Sequence, residues 1–141
     1  MIRHLTKYKK IMPLVPHSPL RDFARLAKAL GDPHRLHALM ALRSGELCLC
    51  ALIALLRLAP STVSKHMQLL ELAGLITPRK SDCWVHYRLA TRGTPPNVRA
   101  ILRSVTAALA HDPLVAADAR RLPHIRSVDA RKLAACYRKR S

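Results

Sequence analysis

Cys48 and Cys50, separated only by Leu49, carry the clearest chemistry in this chain. Paired thiolates are soft donors and select soft metals and metalloids. The spacing limits where such a pair can work. In a regular helix, residues two apart point roughly 200° away from each other, so both sulfurs could not reach one ion. In extended backbone, or where a helix begins, they lie on one side. A helix N-terminus also lowers a thiol pKa and favours the thiolate. A plainer reading stands beside this one. Cysteine is among the most buried residue types, and Leu47-Cys48-Leu49-Cys50-Ala51-Leu52 could simply be core.

A second kind of chemistry follows immediately. After Pro60, Val63, Met67 and Leu70 recur at i, i+4 and i+7 and should face a core. Ser61, Thr62, Ser64, Lys65 and Gln68 then point away from it, where such side chains suit base edges and phosphates of a major groove. His66 sits nearer the apolar side and could contact DNA or hydrogen-bond locally. Arg79 and Lys80 suit backbone or minor-groove contact, or simply solubility. Lys plus Arg number 25 against 8 Asp plus Glu, a net charge of +17. That excess points to a polyanionic partner, double-stranded DNA above all.

The elements that must hold these residues read out in order. Half the chain is apolar but only 4% is aromatic, so the core is built from Leu, Ala, Val and Ile, which favours helices. Residues 1–17 form a basic arm. Ser18-Pro19 caps and opens a helix that Gly31 stops. Asp32-Pro33 opens the next, with Leu36, Leu39, Met40 and Leu42 as its apolar face and Ser44-Gly45 at its end. A third helix is expected from about Cys50 to Leu56, a break over 57–60, and a fourth helix capped by Ser61 and ended by Gly74. Two short helices across a tight turn have the proportions of a helix-turn-helix. Leu75-Ile76-Thr77 and Trp84–Leu89 are β-type segments around a polar tip, Pro78-Arg79-Lys80-Ser81-Asp82. Pro95-Pro96 opens a helix with an apolar stripe from Val98 to Leu109. A shorter helix is expected over 112–121, and a last one from about Ser127.

The fold class expected is therefore mainly α with a small β-hairpin wing: a dimeric winged helix-turn-helix. It spans 18–110, between the 1–17 arm and a basic helical tail over 111–141. No apolar run approaches the ~20 residues of a membrane span, and no signal-like segment opens the chain, so a cytoplasmic protein without a membrane partner is expected. Its four cysteines should then be reduced. An enzyme is not expected, and neither is an organic cofactor. There is no Cys-x-x-Cys within a βαβ pattern and no phosphate-cradling glycine loop among only four glycines.

From Leu26 to Leu89 the chain resembles the ArsR/SmtB family of metal-sensing winged-helix repressors. The matching pieces are Leu30-Gly31-Asp32-Pro33-His34-Arg35-Leu36, Gly45-Glu46-Leu47-Cys48-Leu49-Cys50, Pro60-Ser61-Thr62-Val63-Ser64-Lys65-His66-Met67, Leu72-Ala73-Gly74-Leu75-Ile76 and Trp84-Val85-His86-Tyr87-Arg88-Leu89. The resemblance implies a homodimer that binds a palindromic operator and leaves it when a metal or metalloid binds. It implies Cys48 and Cys50 as inducer thiols, trivalent arsenic or antimony as inducer, with Cd, Pb or Zn as alternatives, and helix 96–110 in dimerisation beside the N-terminal helix.

The chain also departs from the family. Arsenic sensors of the best-known type place a third Cys three residues after the second, where Ile53 stands here. Ala51 stands where Asp is common. The zinc-type site of the dimerisation helix is not made by His111 and Asp112 alone. Two thiols leave trivalent arsenic one valence short, to be met by Cys136, hydroxide or an outside thiol. Cys83, beside the wing turn, would have to reach the third helix from the wing. A methylated trivalent arsenical would need only two thiols. The competing reading is a winged-helix regulator whose cysteines are redox-responsive or inert.

Overall fold

A computed structural model describes residues 18–81 and 84–127. Six helices and three strands follow in order: α1 (Pro19–Leu30), α2 (Pro33–Leu42), β1 (Leu47–Cys48), α3 (Leu49–Leu56), α4 (Pro60–Leu72), β2 (Ile76–Ser81), β3 (Trp84–Leu89), α5 (Pro96–Leu109) and α6 (Pro113–Ser127). The first two helices begin as the caps require. Ser18 Oγ accepts from Arg21 N–H, and Asp32 Oδ1 from His34 and Arg35 N–H. The core gathers Leu26, Leu39, Leu52, Leu55, Val63, Met67, Leu70 and Leu75. The face assigned to Val63, Met67 and Leu70 is thus the buried one. On α2, Leu39, Met40 and Leu42 are buried, while Leu36 is only half-buried.

Several boundaries differ from expectation. The third helix begins at Leu49, with Cys48 as its N-cap. The fourth begins at Pro60 with Ala59 at the N-cap, so Ser61 lies inside the first turn and caps nothing. Pro78, Arg79, Lys80 and Ser81 belong to β2 and not to the hairpin tip; Arg79 pairs with His86 across the ladder. The reason is the strand order, β1-β3-β2. It makes β2 an edge, where proline's missing N–H costs no ladder bond. Leu47 and Cys48 add a third strand to the expected hairpin, pairing antiparallel with Tyr87 and His86.

The helix expected over 112–121 runs on to Ser127, through Pro123. It packs on α2 and α3, and its Leu122 and Ile125 join the common core. Residues 1–17, Cys83 and the expected last helix with Cys136 lie outside the described residues.

Candidate functional site

Backbone geometry brings the two thiols together. Cys48 is extended, with φ −73° and ψ 157°, and Cys50 is the second residue of α3. Cys48 Sγ accepts the Ala51 N–H at 3.2 Å. Both thiols are half-buried. Burial first, then the neighbouring Cys48 sulfur, pushes the Cys50 thiol up to about 11. The expected lowering by the helix N-terminus is therefore overturned for Cys50. The Ala51 N–H is spent on Cys48, and removal from water outweighs what remains of the helix field. Two adjacent thiols at this spacing can chelate one thiophilic ion once deprotonated. Among the described residues no three His, Cys, Asp or Glu side chains gather as a closed metal site.

The segment around the thiols is tied down on two sides. Arg79 of the wing donates to both carboxylate oxygens of Glu46, and His86 Nδ1 lies 3.7 Å from the same group. The Arg79 guanidinium holds the Glu46 carboxyl below the usual carboxylate range. From α6, Arg126 donates to the Glu46 carbonyl at 2.9 Å and to Ser44 Oγ at 3.2 Å. Arg121 reaches the Ala54 and Leu55 carbonyls at the far end of α3. A buried contact between His37 and Asp118 fastens α6 to α2.

On α4, Ser61, Thr62, Lys65 and Gln68 are exposed together, with Ser64 half-buried beside them. Lys80 is exposed on β2; Arg79 is exposed too, but its guanidinium is engaged by Glu46. His66 is half-buried and turned inward, its Nδ1 3.0 Å from Arg35 Nη1. Burial first, with the nearby positive charge of Arg35 adding to it, holds His66 below the usual histidine range.

Residues 32–77 match the model of the bacterial regulatory protein, arsR family. Over 88 residues the chain is 33% identical to the transcriptional repressor SmtB homolog of Synechocystis sp. PCC 6803, covering 62% of this chain and 67% of that protein. This chain belongs to the ArsR family. It is also 42% identical over 67 residues to the arsenical resistance operon repressor of Escherichia coli K12, covering 47% of this chain and 57% of that one. The ArsR-family chain thus spans little more than half of the Escherichia coli protein's length. Both relatives are named as repressors, not enzymes. Among solved structures, the homodimeric winged helix-turn-helix DNA-binding domain of a possible ArsR-family regulator from Mycobacterium bovis matches with TM-score 0.56 at 26% identity, covering 67% of this chain and 83% of that one.

Reading the sequence alone missed Arg35, Glu46 and Arg126 as site-positioning residues. Arg35 and Glu46 stand inside the family-like stretches, which was the available signal. Arg126 had none, because its acceptors, the Glu46 and Gly45 carbonyls and Ser44 Oγ, lie on a loop far away in the chain.

Proposed function

We propose that this chain is a homodimeric transcriptional repressor that binds a palindromic operator and releases it when trivalent arsenic or antimony engages Cys48 and Cys50. The observation that carries the reading is the placement of the thiol pair. Cys48 ends the strand that pairs with the wing and is the N-cap of the first helix of the helix-turn-helix, and Cys50 lies in that helix's first turn.

Ser61, Thr62, Ser64, Lys65 and Gln68 would meet the major groove, with Lys80 on the wing; the net charge of +17 supports the same partner. A second copy of the chain is supported by apolar surface on α1, where Leu20 is 82% and Phe23 55% exposed. On α5, Ile101, Val105 and Leu109 are only half-buried.

Cys48 and Cys50 would hold the inducer as thiolates. A Cys48 sulfur drawn towards the inducer would shift against the Ala51 N–H that it accepts, so the cap on the first turn of α3 would be strained. The same residue is the end of β1, so the change is felt by β3 and the wing. DNA and inducer then favour different shapes of one segment, and each weakens the other.

The test is fluorescence anisotropy on an operator selected by the protein from random DNA. Arsenite and antimonite should release it, and Cys48→Ser and Cys50→Ser proteins should stay bound. Release by methylarsenite alone, by Cd, Pb or Zn, or by an oxidant would each name a different inducer. Arsenite-driven release from Cys48→Ser protein would overturn the assignment.

A further inference from the structure

Arg35 is a charged side chain only 9% exposed, and it lies away from the thiols. Its Nε donates to the Ala29 carbonyl at 2.8 Å and its Nη2 to the Lys28 carbonyl at 2.9 Å. These are last-turn carbonyls of α1, the Lys28 one also accepting the Gly31 N–H at 3.2 Å, and a helix C-terminus favours a cation. Its remaining arm, Nη1, lies 3.0 Å from His66 Nδ1 on α4. One guanidinium on α2 therefore grips the end of α1 and the middle of α4. The planar fork of arginine holds donors at fixed angles, which lysine cannot reproduce.

We infer that Arg35 is a positioning residue that sets the angle of the recognition helix α4 against the dimerisation helix α1, and so sets which half-site spacing the dimer accepts. The inference rests on the repressor reading above. Two recognition helices related by a dimer axis read half-sites about one helical turn apart, and their separation is fixed by how each helix is held to that axis. Loosening the grip on α4 widens the range of separations. The bond also fixes the ring. Arg35 has only donors to offer, so Nδ1 must accept and the His66 proton resides on Nε2. His34, whose ring centroid lies 5.8 Å from that of His66, and Asp32, which caps α2, are the other ionisable neighbours.

The experiment uses the full chain and the selected palindrome, together with duplexes whose half-sites are moved apart or together by one base pair. Wild type should prefer the native spacing. His66→Leu, which releases only the α4 arm, should lose roughly tenfold or more of that preference, the worth of a hydrogen bond to a charged donor. His66→Gln, whose amide oxygen can accept from Arg35, should recover most of it. Arg35→Lys should behave like His66→Leu. Imidazole 15N shifts of His66 in the wild type should report the Nε2–H tautomer. An unchanged spacing preference in both His66→Leu and Arg35→Lys, with only a uniform loss of affinity or thermal stability, overturns the inference, as does an Nδ1–H tautomer. A wild type that ignores the palindrome altogether overturns the repressor reading beneath it.

Discussion

Arg79 of the wing clasps Glu46, with Nε 3.1 Å from Oε2 and Nη2 2.5 Å from Oε1, two residues ahead of the thiol of Cys48. Wing and thiol segment are thus joined twice, by this pair and by the β1–β3 ladder. The consequence is testable with Glu46→Gln. An exposed ion pair adds little to stability, so the variant should fold and melt much as wild type does. The ratio of operator affinities without and with arsenite should shrink, from the 5- to 150-fold range typical of allosteric coupling towards its lower end. Anisotropy titrations give that ratio directly. A ratio equal to wild type would remove the Arg79–Glu46 pair from the path and leave the β1–β3 ladder as the link to the wing.

Cys48 has two roles that substitution separates. Its Sγ caps the Ala51 N–H. Serine is a better N-cap than cysteine or alanine, so Cys48→Ser should be at least as stable as wild type, and about 1 kcal/mol more stable than Cys48→Ala. Both should fail to respond to arsenite. Chemical denaturation paired with the release assay checks this. A Ser variant as unstable as the Ala variant would mean that the cap contributes nothing.

The helical core was legible because Leu26, Leu39, Leu52, Val63, Met67 and Leu70 repeat with helical period, and Ser18-Pro19, Asp32-Pro33 and Gly74 punctuate them. Four features were not. Two residues, Leu47 and Cys48, are too short to signal a strand, and their partners Tyr87 and His86 lie far along the chain. Pro78 reads as a turn unless β2 is known to be an edge. Pro123 reads as a stop, yet α6 continues through it because Leu122 and Ile125 bury on either side. Arg35 reads as a solvated charge, since its acceptors exist only once α1 and α4 have packed around it. The closeness of Cys48 and Cys50 followed from their place at a helix entry, where Cys48 is extended. The rise in the Cys50 pKa did not, because burial is a property of the packed molecule.

The packing of α6 predicts that residues beyond 110 stabilise the winged helix. Leu122 is 7% exposed within the common core. Leu122→Ala should cost roughly 2–4 kcal/mol in urea unfolding, the range for a large-to-small change at a buried site. An independent tail would lose almost nothing. Arg126→Ala, which frees the Ser44–Glu46 loop, should instead leave stability nearly intact and raise the alkylation rate of Cys50 by iodoacetamide.

The raised Cys50 thiol separates the two classes of inducer by their proton balance. Its folded pKa of about 11 lies above the ordinary 9.0, so stability is fully present below pH 9 and declines as pH rises towards 11. Cys50→Ser should flatten that decline. At neutral pH the group that must react is therefore the protonated thiol. Arsenite is the neutral As(OH)3, and its exchange with two thiols forms two As–S bonds, breaks two As–O bonds and releases two waters, with no net proton. Its affinity should be nearly constant between pH 6.5 and 8.5. A divalent cation displaces the Cys50 thiol proton into solution, so its affinity should climb at least about tenfold per pH unit over the same range. Binding followed by titration calorimetry in two buffers of different ionisation enthalpy measures the protons released. Release of one proton or more by the ion that frees the operator would point to a divalent metal and overturn the arsenic and antimony assignment.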